Sequence, residues 1–214
     1  MNCFIRFLAN SDYTVYAPLL PGHGTSPEEL NKVRYMDWIN SAIGAYNELL
    51  EKDFKDIYVI GHSMGALLAL RLGELFGDMS GIVVTASPII LRGIWLKMVP
   101  LVKRVIKFVK KKGNVSKYAY DVWPINGVSE LIKLIDVVKG DLKSVIAPTL
   151  IIHGEKDELA DQESAQYIYD NINSKYKQLM IIEDAGHRIL QDGNVAKVYQ
   201  TIADFILKNS KKRS

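Results

Sequence analysis

From Tyr13 to Phe205 the chain alternates short apolar runs with longer stretches in which apolar residues return every three or four positions. The short runs predict strands at 13–19, 57–61, 81–86, 148–153 and 178–183, and the longer stretches predict helices at 36–53, 64–77, 161–172 and 194–208. Asn2 to Asn10 reads as a further helix-like segment. In the helix at 36–53, Trp38, Ile39, Ala42, Ile43, Tyr46, Leu49 and Leu50 keep helical spacing, which makes them core packing and not a ligand stripe. Strands that are apolar throughout have no face left for water. Such strands alternating with helices imply a mostly parallel sheet flanked by helices on both faces, an α/β fold.

The alternation stops at Pro88 and resumes after Asp141. The pattern divides the chain into a core, 1–87 with 142–214, and an inserted helical segment at 88–141, expected to cap the core. No acidic residue occurs from Met79 to Tyr120, whereas Arg92, Lys97, Lys103, Arg104, Lys107, Lys110, Lys111, Lys112 and Lys117 do. Leu101, Val102, Val105, Ile106 and Val109 recur at i, i+3 or i+4 among them, so this stretch is expected to be a basic amphipathic helix. The plain expectation is an apolar stripe packed inward with solvated lysines. The sharper one is a weak contact with an anionic lipid surface. Nucleic-acid binding is not expected, because no recognised nucleic-acid module accompanies the patch. Trp95, Tyr118, Tyr120 and Trp123 could line a pocket or simply pack the insertion. The tail Lys208–Ser214 reads as frayed and solvated.

Composition narrows the classes. The chain has 214 residues, 48% of them hydrophobic, and a formal net charge of +3, which suits one domain with a sizeable core and makes the basicity of the insertion local. The single cysteine, Cys3, excludes an internal disulfide framework and fits a reducing compartment. The four histidines lie far apart with no cysteine partners, so no metal-ligand spacing emerges, and no phosphate-binding Gly-x-x-x-x-Gly-Lys loop is present. Arg6 interrupts Phe4–Leu8 and no apolar run reaches about 18 residues, which argues against a signal peptide and a spanning helix and for the cytoplasm.

The chemistry concentrates at Gly61-His-Ser-Met-Gly65. A predicted strand ends there and a run of strong helix formers, Ala66–Leu72, follows, so Ser63 falls at the tip of a sharp strand-to-helix turn. Both glycines are expected to be required by close backbone approach. A serine hydroxyl is a poor nucleophile until a neutral imidazole takes its proton and a carboxylate holds that imidazole. His187 follows the strand at 178–183 in Glu-Asp-Ala-Gly-His. Asp157 follows the strand at 148–153 in His-Gly-Glu-Lys-Asp, with Glu155 and Glu158 as rivals and Asp184 close to His187 in sequence. His62 and His153 read as packing or satisfied structural histidines, and His23 as a turn-stabilising hydrogen bonder.

The elbow Gly61–Gly65, the segment Ala147–Asp157, Ala185-Gly-His187 and the turn Pro21-Gly-His-Gly24 together resemble the α/β-hydrolase superfamily, and within it the small bacterial carboxylesterases and monoacylglycerol lipases. The resemblance spans roughly residues 12 to 207. It implies a serine carboxylesterase acting on short or medium acyl esters or monoacylglycerols through an acyl-enzyme, with no cofactor and no metal. Catalytic roles fall on Ser63 as nucleophile, His187 as base then acid and Asp157 as orienting carboxylate, with the backbone N–H of Met64 in the oxyanion hole. Thioesterase, perhydrolase or acyltransferase chemistry on the same residues is the alternative, and a non-catalytic ligand-binding remnant is another. The match departs from the family at its start. The pattern implies that the first strands and a His-Gly loop, which would give a second oxyanion N–H and a central strand between 13–19 and 57–61, do not precede Tyr13.

Overall fold

The computed structural model describes residues 2–11, 13–77, 79–93, 98–111, 119–193 and 195–210. Trp95, Lys97, Lys112, Lys117 and Tyr118 lie outside them. Four strands form one parallel sheet in the order β1 (Tyr58–His62), β2 (Gly81–Thr85), β5 (Thr149–Gly154), β6 (Lys177–Ile182). Its register pairs Ile60 with Val83, Val84 with Ile151 and Ile152 with Met180. Alternate residues of each strand face opposite layers. Ile82, Val84 and Ile151 pack with α3 (Tyr35–Glu51), α4 (Met64–Leu75) and α7 (Glu163–Asn171), while Val83, Leu150, Ile152 and Ile182 pack with α1 (Asn2–Ala9) and α8 (Val195–Ser210). Burial on both faces is why these strands read as unbroken apolar runs.

Local signals set the helix starts. Ser26 caps the short α2 (Pro27–Leu30) by accepting from Glu29 N–H at 3.2 Å, and proline opens its first turn. The Asp37 carboxylate, in the first turn of α3, accepts the Arg34 N–H at 2.8 Å. α4 begins at Met64, directly after the serine.

Three expectations need correction. The predicted strand at 13–19 is absent: these residues form no ladder, because a strand needs a neighbour and the space between them and the outer edge of β1 is a cavity of about 550 Å³. Its wall runs from Tyr13 to Pro18 on one side and from Asp56 to Ser63 on the other, closed by apolar side chains such as Phe4, Leu8 and Tyr46. The basic stretch is not one amphipathic helix. It folds as a single turn, α5 (Val99–Val102), then a bend, then β3 (Phe108–Lys110), which pairs antiparallel with β4 (Val122–Pro124). Cross-strand pairing of Val109 with Trp123 stabilises a β-branched, aromatic-flanked segment more than helical periodicity does. The third correction concerns Gly65 and belongs to the site. Beyond β4, α6 (Ile125–Asp141) returns to the body of the molecule, placing Leu134, Ile135 and Val138 in the same core cluster as α4.

Candidate active site

Ser63 sits between β1 and α4 with φ 55° and ψ −123°, a left-handed conformation that a serine adopts only when its surroundings impose it. Ser63 N–H donates to Thr85 O at 2.9 Å, and Ser63 O accepts from Ala66 N–H at 2.9 Å, so the turn is tied to both β2 and the first turn of α4. Gly61 is indispensable: a Cβ there would stand 2.1 Å from the Gly65 carbonyl oxygen. Gly65 is not required on that ground, since a Cβ at Gly65 meets nothing within 4 Å. The close approach is therefore made against Gly61.

His187 and Asp157 come from the loops after β6 and β5, and backbone bonds join those loops. Glu155 N–H donates to Ile182 O at 3.0 Å and Lys156 N–H to Ala185 O at 2.8 Å. Gly154 permits this approach, because a Cβ on it would lie 2.4 Å from Ala185 O. A glycine directly after a buried strand was the signal for it in the sequence, and its role emerges only with the neighbouring loop in place.

These elements bring Ser63, His187 and Asp157 together. His187 Nε2 lies 2.8 Å from Ser63 Oγ, and Nδ1 lies 2.8 and 3.0 Å from the Asp157 carboxylate oxygens. A carboxylate only accepts, so Nδ1 carries the proton and Nε2 offers its lone pair to the serine hydroxyl. Asp157 is fully buried, and its Oδ1 also accepts the Leu159 and Ala160 N–H groups at 2.9 Å each. Burial pushes this carboxyl up, but the His187 hydrogen bond and charge, with the two N–H groups, outweigh it and hold Asp157 below its ordinary range. The rival carboxylates are engaged elsewhere: Glu155 accepts the Asp184 N–H, Glu158 accepts the His187 backbone N–H, and Asp184 pairs with Lys156. Glu158 thus steadies the histidine through its main chain, a contact that sequence position alone does not reveal.

The other histidines surround this group. His153, 1% exposed, donates from Nε2 to Ala160 O at 3.3 Å and stands 3.5 Å from Asp157 Oδ2, with burial lowering its pKa. His23 Nδ1 lies 3.2 Å from Pro21 O, in the turn that Tyr120 latches by donating to Gly22 O at 2.9 Å while accepting the Thr25 N–H. His62 packs on His187 with ring centroids 5.3 Å apart. The Thr85 hydroxyl donates to Gly61 O and so accepts from His62 Nδ1–H at 3.0 Å, leaving His62 neutral with a bare Nε2.

Enclosure, followed by the nearby His187, pushes His62 down to about 3 from its ordinary 6.5. The folded protein keeps His62 neutral where the unfolded chain protonates it, so the unfolded chain binds more protons. Stability present above pH 6.5 is therefore lost as the pH falls toward about 3. In thermal denaturation, the decline in Tm from about pH 6.5 to pH 4 should be shallower for His62→Asn than for the parent. Equal declines would contradict this placement of His62.

Among the described residues no cluster of histidine, cysteine or carboxylate side chains could hold a metal ion, and no helix is long and apolar enough to cross a membrane. Met64 N–H is the first backbone donor beyond Ser63 and opens α4, where helix geometry gives the first N–H groups no acceptor one turn back in the same helix.

The comparisons with known proteins agree with this frame. A carboxylesterase from Bacillus subtilis (strain 168) is 27% identical over 209 residues, covering 95% of this chain and 85% of that protein. A thermostable monoacylglycerol lipase from Bacillus sp. (strain H-257) is 27% identical over 207 residues, covering 94% and 82%. Among solved structures, a metagenome-derived lipolytic enzyme superposes with a TM-score of 0.90 at 26% identity, over 97% of this chain and 87% of that one. The Paleococcus ferrophilus monoacylglycerol lipase shares the fold, with a TM-score of 0.78 at 16% identity over 97% and 88%. The profile of the alpha/beta hydrolase family matches residues 2–200, nearly the whole length described above, and the chain belongs to that family.

Proposed function

We propose that this protein is a serine carboxylic-ester hydrolase, acting on short or medium acyl esters or monoacylglycerols through an acyl-enzyme. The observation that carries the reading is the continuous line from the Asp157 carboxylate through the His187 ring to the Ser63 hydroxyl, with both junctions at 2.8 Å. The names of the Bacillus carboxylesterase and monoacylglycerol lipase support the choice of ester substrate.

In the proposed cycle Ser63 Oγ attacks the ester carbonyl carbon as its proton passes to His187 Nε2. Asp157 stabilises the imidazolium without taking the proton. Met64 N–H faces the carbonyl oxygen as negative charge develops on it, at the positive end of α4. The tetrahedral intermediate collapses by breaking the bond to the alcohol oxygen, which leaves with the proton from His187. Water then repeats the sequence, giving its proton to His187 and its oxygen to the acyl carbon, and Ser63 is released with the carboxylic acid.

Thioesters place a better leaving group on the same carbon and would be attacked by the same atoms, so substrate preference must be measured. A panel of p-nitrophenyl esters of increasing chain length beside matched acyl thioesters tests the assignment. The reading predicts higher kcat/KM on the oxygen esters; faster turnover of the thioesters would replace it with thioesterase activity.

A further inference from the structure

We propose that the segment Met98–Lys110 is a docking surface for an anionic lipid interface. Its aliphatic side chains point outward in spite of a firm anchor beneath. Val99, fully buried, packs with Val102, Trp123, Ile125 and Val128 in a small cluster of its own, so the inner side of α5 is fixed on α6. On the outer side Val105 is 85% exposed, Leu101 73% and Met98 54%, with Ile106 and Val109 also open. Backbone bonds from Val105 and Ile106 N–H to Val102 O hold this apolar tip in a closed turn. Aliphatic side chains presented on a folded, anchored turn indicate a surface that meets an apolar phase.

The cations beside the tip name the phase. Arg104, Lys107 and Lys110 are exposed and form no ion pair among the described residues, and the sequence supplies no carboxylate between Met79 and Tyr120 to neutralise them. Their neighbours Lys103 and Lys111 are occupied, the first on the Ser129 hydroxyl at 3.1 Å and the second over the Trp123 ring at 4.2 Å. Aliphatic residues flanked by uncompensated cations suit a bilayer whose headgroups are anionic and whose acyl layer accepts shallow insertion. A nucleic acid would reward the cations but gain little from Leu101 and Val105.

The surface lies on the same structural unit as the cleft. β4 packs against α2, and Tyr120 bonds the turn carrying His23, which lines the cavity shared with Ser63. A docked molecule would therefore hold the unit that carries Ser63 at the interface. That consequence rests on the hydrolase reading; the docking itself does not.

The test is co-sedimentation of the full chain with phosphatidylcholine vesicles, with and without about a third phosphatidylglycerol. Binding to the anionic vesicles is expected and should weaken as salt rises from about 0.05 to 0.5 M. Each cation near such a surface strengthens binding about five-fold, so Arg104→Gln, Lys107→Gln and Lys110→Gln together should weaken it about a hundred-fold. Leu101→Ser with Val105→Ser should weaken it while leaving the salt dependence intact. All these positions are exposed, and an unchanged Tm shows that the variants are folded. Equal adsorption to neutral and anionic vesicles, undiminished binding by the glutamine variant, or retention only on nucleic acid would each overturn the proposal.

Discussion

Replacing Ser63 or His187 with alanine is expected to lower ester turnover about a million-fold, to the level of the residual site, whereas Asp157→Asn should lose about ten-thousand-fold. The order follows from the geometry. Ser63 forms the bond and His187 moves the proton, and among the described residues His187 is the histidine whose ring nitrogen bonds the Ser63 hydroxyl. Asp157 acts through His187. An asparagine there would keep its oxygen on the Leu159 and Ala160 N–H groups and turn its NH2 toward His187 Nδ1, donating to it and holding the imidazole in the wrong tautomer. Glu155→Gln should stay close to the parent, because that carboxylate bonds the Asp184 N–H and not the imidazole. Steady-state kinetics on a p-nitrophenyl ester measure the series. Full activity in Asp157→Asn with loss in Glu155→Gln would assign the orienting role to the other carboxylate.

The second large effect concerns the cavity beside β1. An extended segment laid along the outer edge of β1 is expected to raise Tm by about 10 °C or more. β1 has five residues, and its outward N–H and C=O groups face a cavity with largely apolar walls. Each backbone bond made there is worth about 1 kcal/mol, so about five of them would shift the Tm of a domain this size by roughly 10 to 20 °C. The same groups decide between occupants. An alkyl chain in the cavity would leave them unpaired, whereas a strand satisfies them, so the cavity suits a strand better than an acyl group. Differential scanning calorimetry of the chain with and without such a segment checks the effect; an identical Tm would show that β1 gains nothing from a neighbour.

The sheet was legible in the sequence because strands buried on both faces are mostly apolar: Gly81–Thr85 is buried at every residue, as the run Ile82–Val84 implied. Tyr13–Leu19 has equally good strand composition and forms none, since composition records a residue's preference and not whether a partner strand lies alongside. Periodicity failed similarly at 101–109, where positions spaced for a helix belong to a turn and a hairpin strand whose apolar side chains face out. Ile125–Asp141 lay within the stretch read only as an inserted helical segment, and only packing shows that its Leu134 and Val138 join α4. At the site, the placement of Ser63, Asp157 and His187 after β1, β5 and β6 was visible because parallel strands deliver their following loops to one edge of the sheet. What supports them was not. Gly154, Glu158 and His153 act through backbone approach, a main-chain bond and a carboxylate contact, and none of these leaves a pattern in the chain.

The most direct measurement is reaction of the folded protein with a fluorophosphonate, followed by peptide mapping. A hydroxyl reacts with such a reagent when a neighbouring base takes its proton, so the label reports the assembled pair and not serine accessibility. Stoichiometric labelling at Ser63, abolished in His187→Ala at unchanged Tm, is the result expected from the 2.8 Å contact between His187 Nε2 and Ser63 Oγ. A cooperatively folded sample that stays unlabelled, or is labelled at another residue, would contradict a Ser63-centred hydrolase.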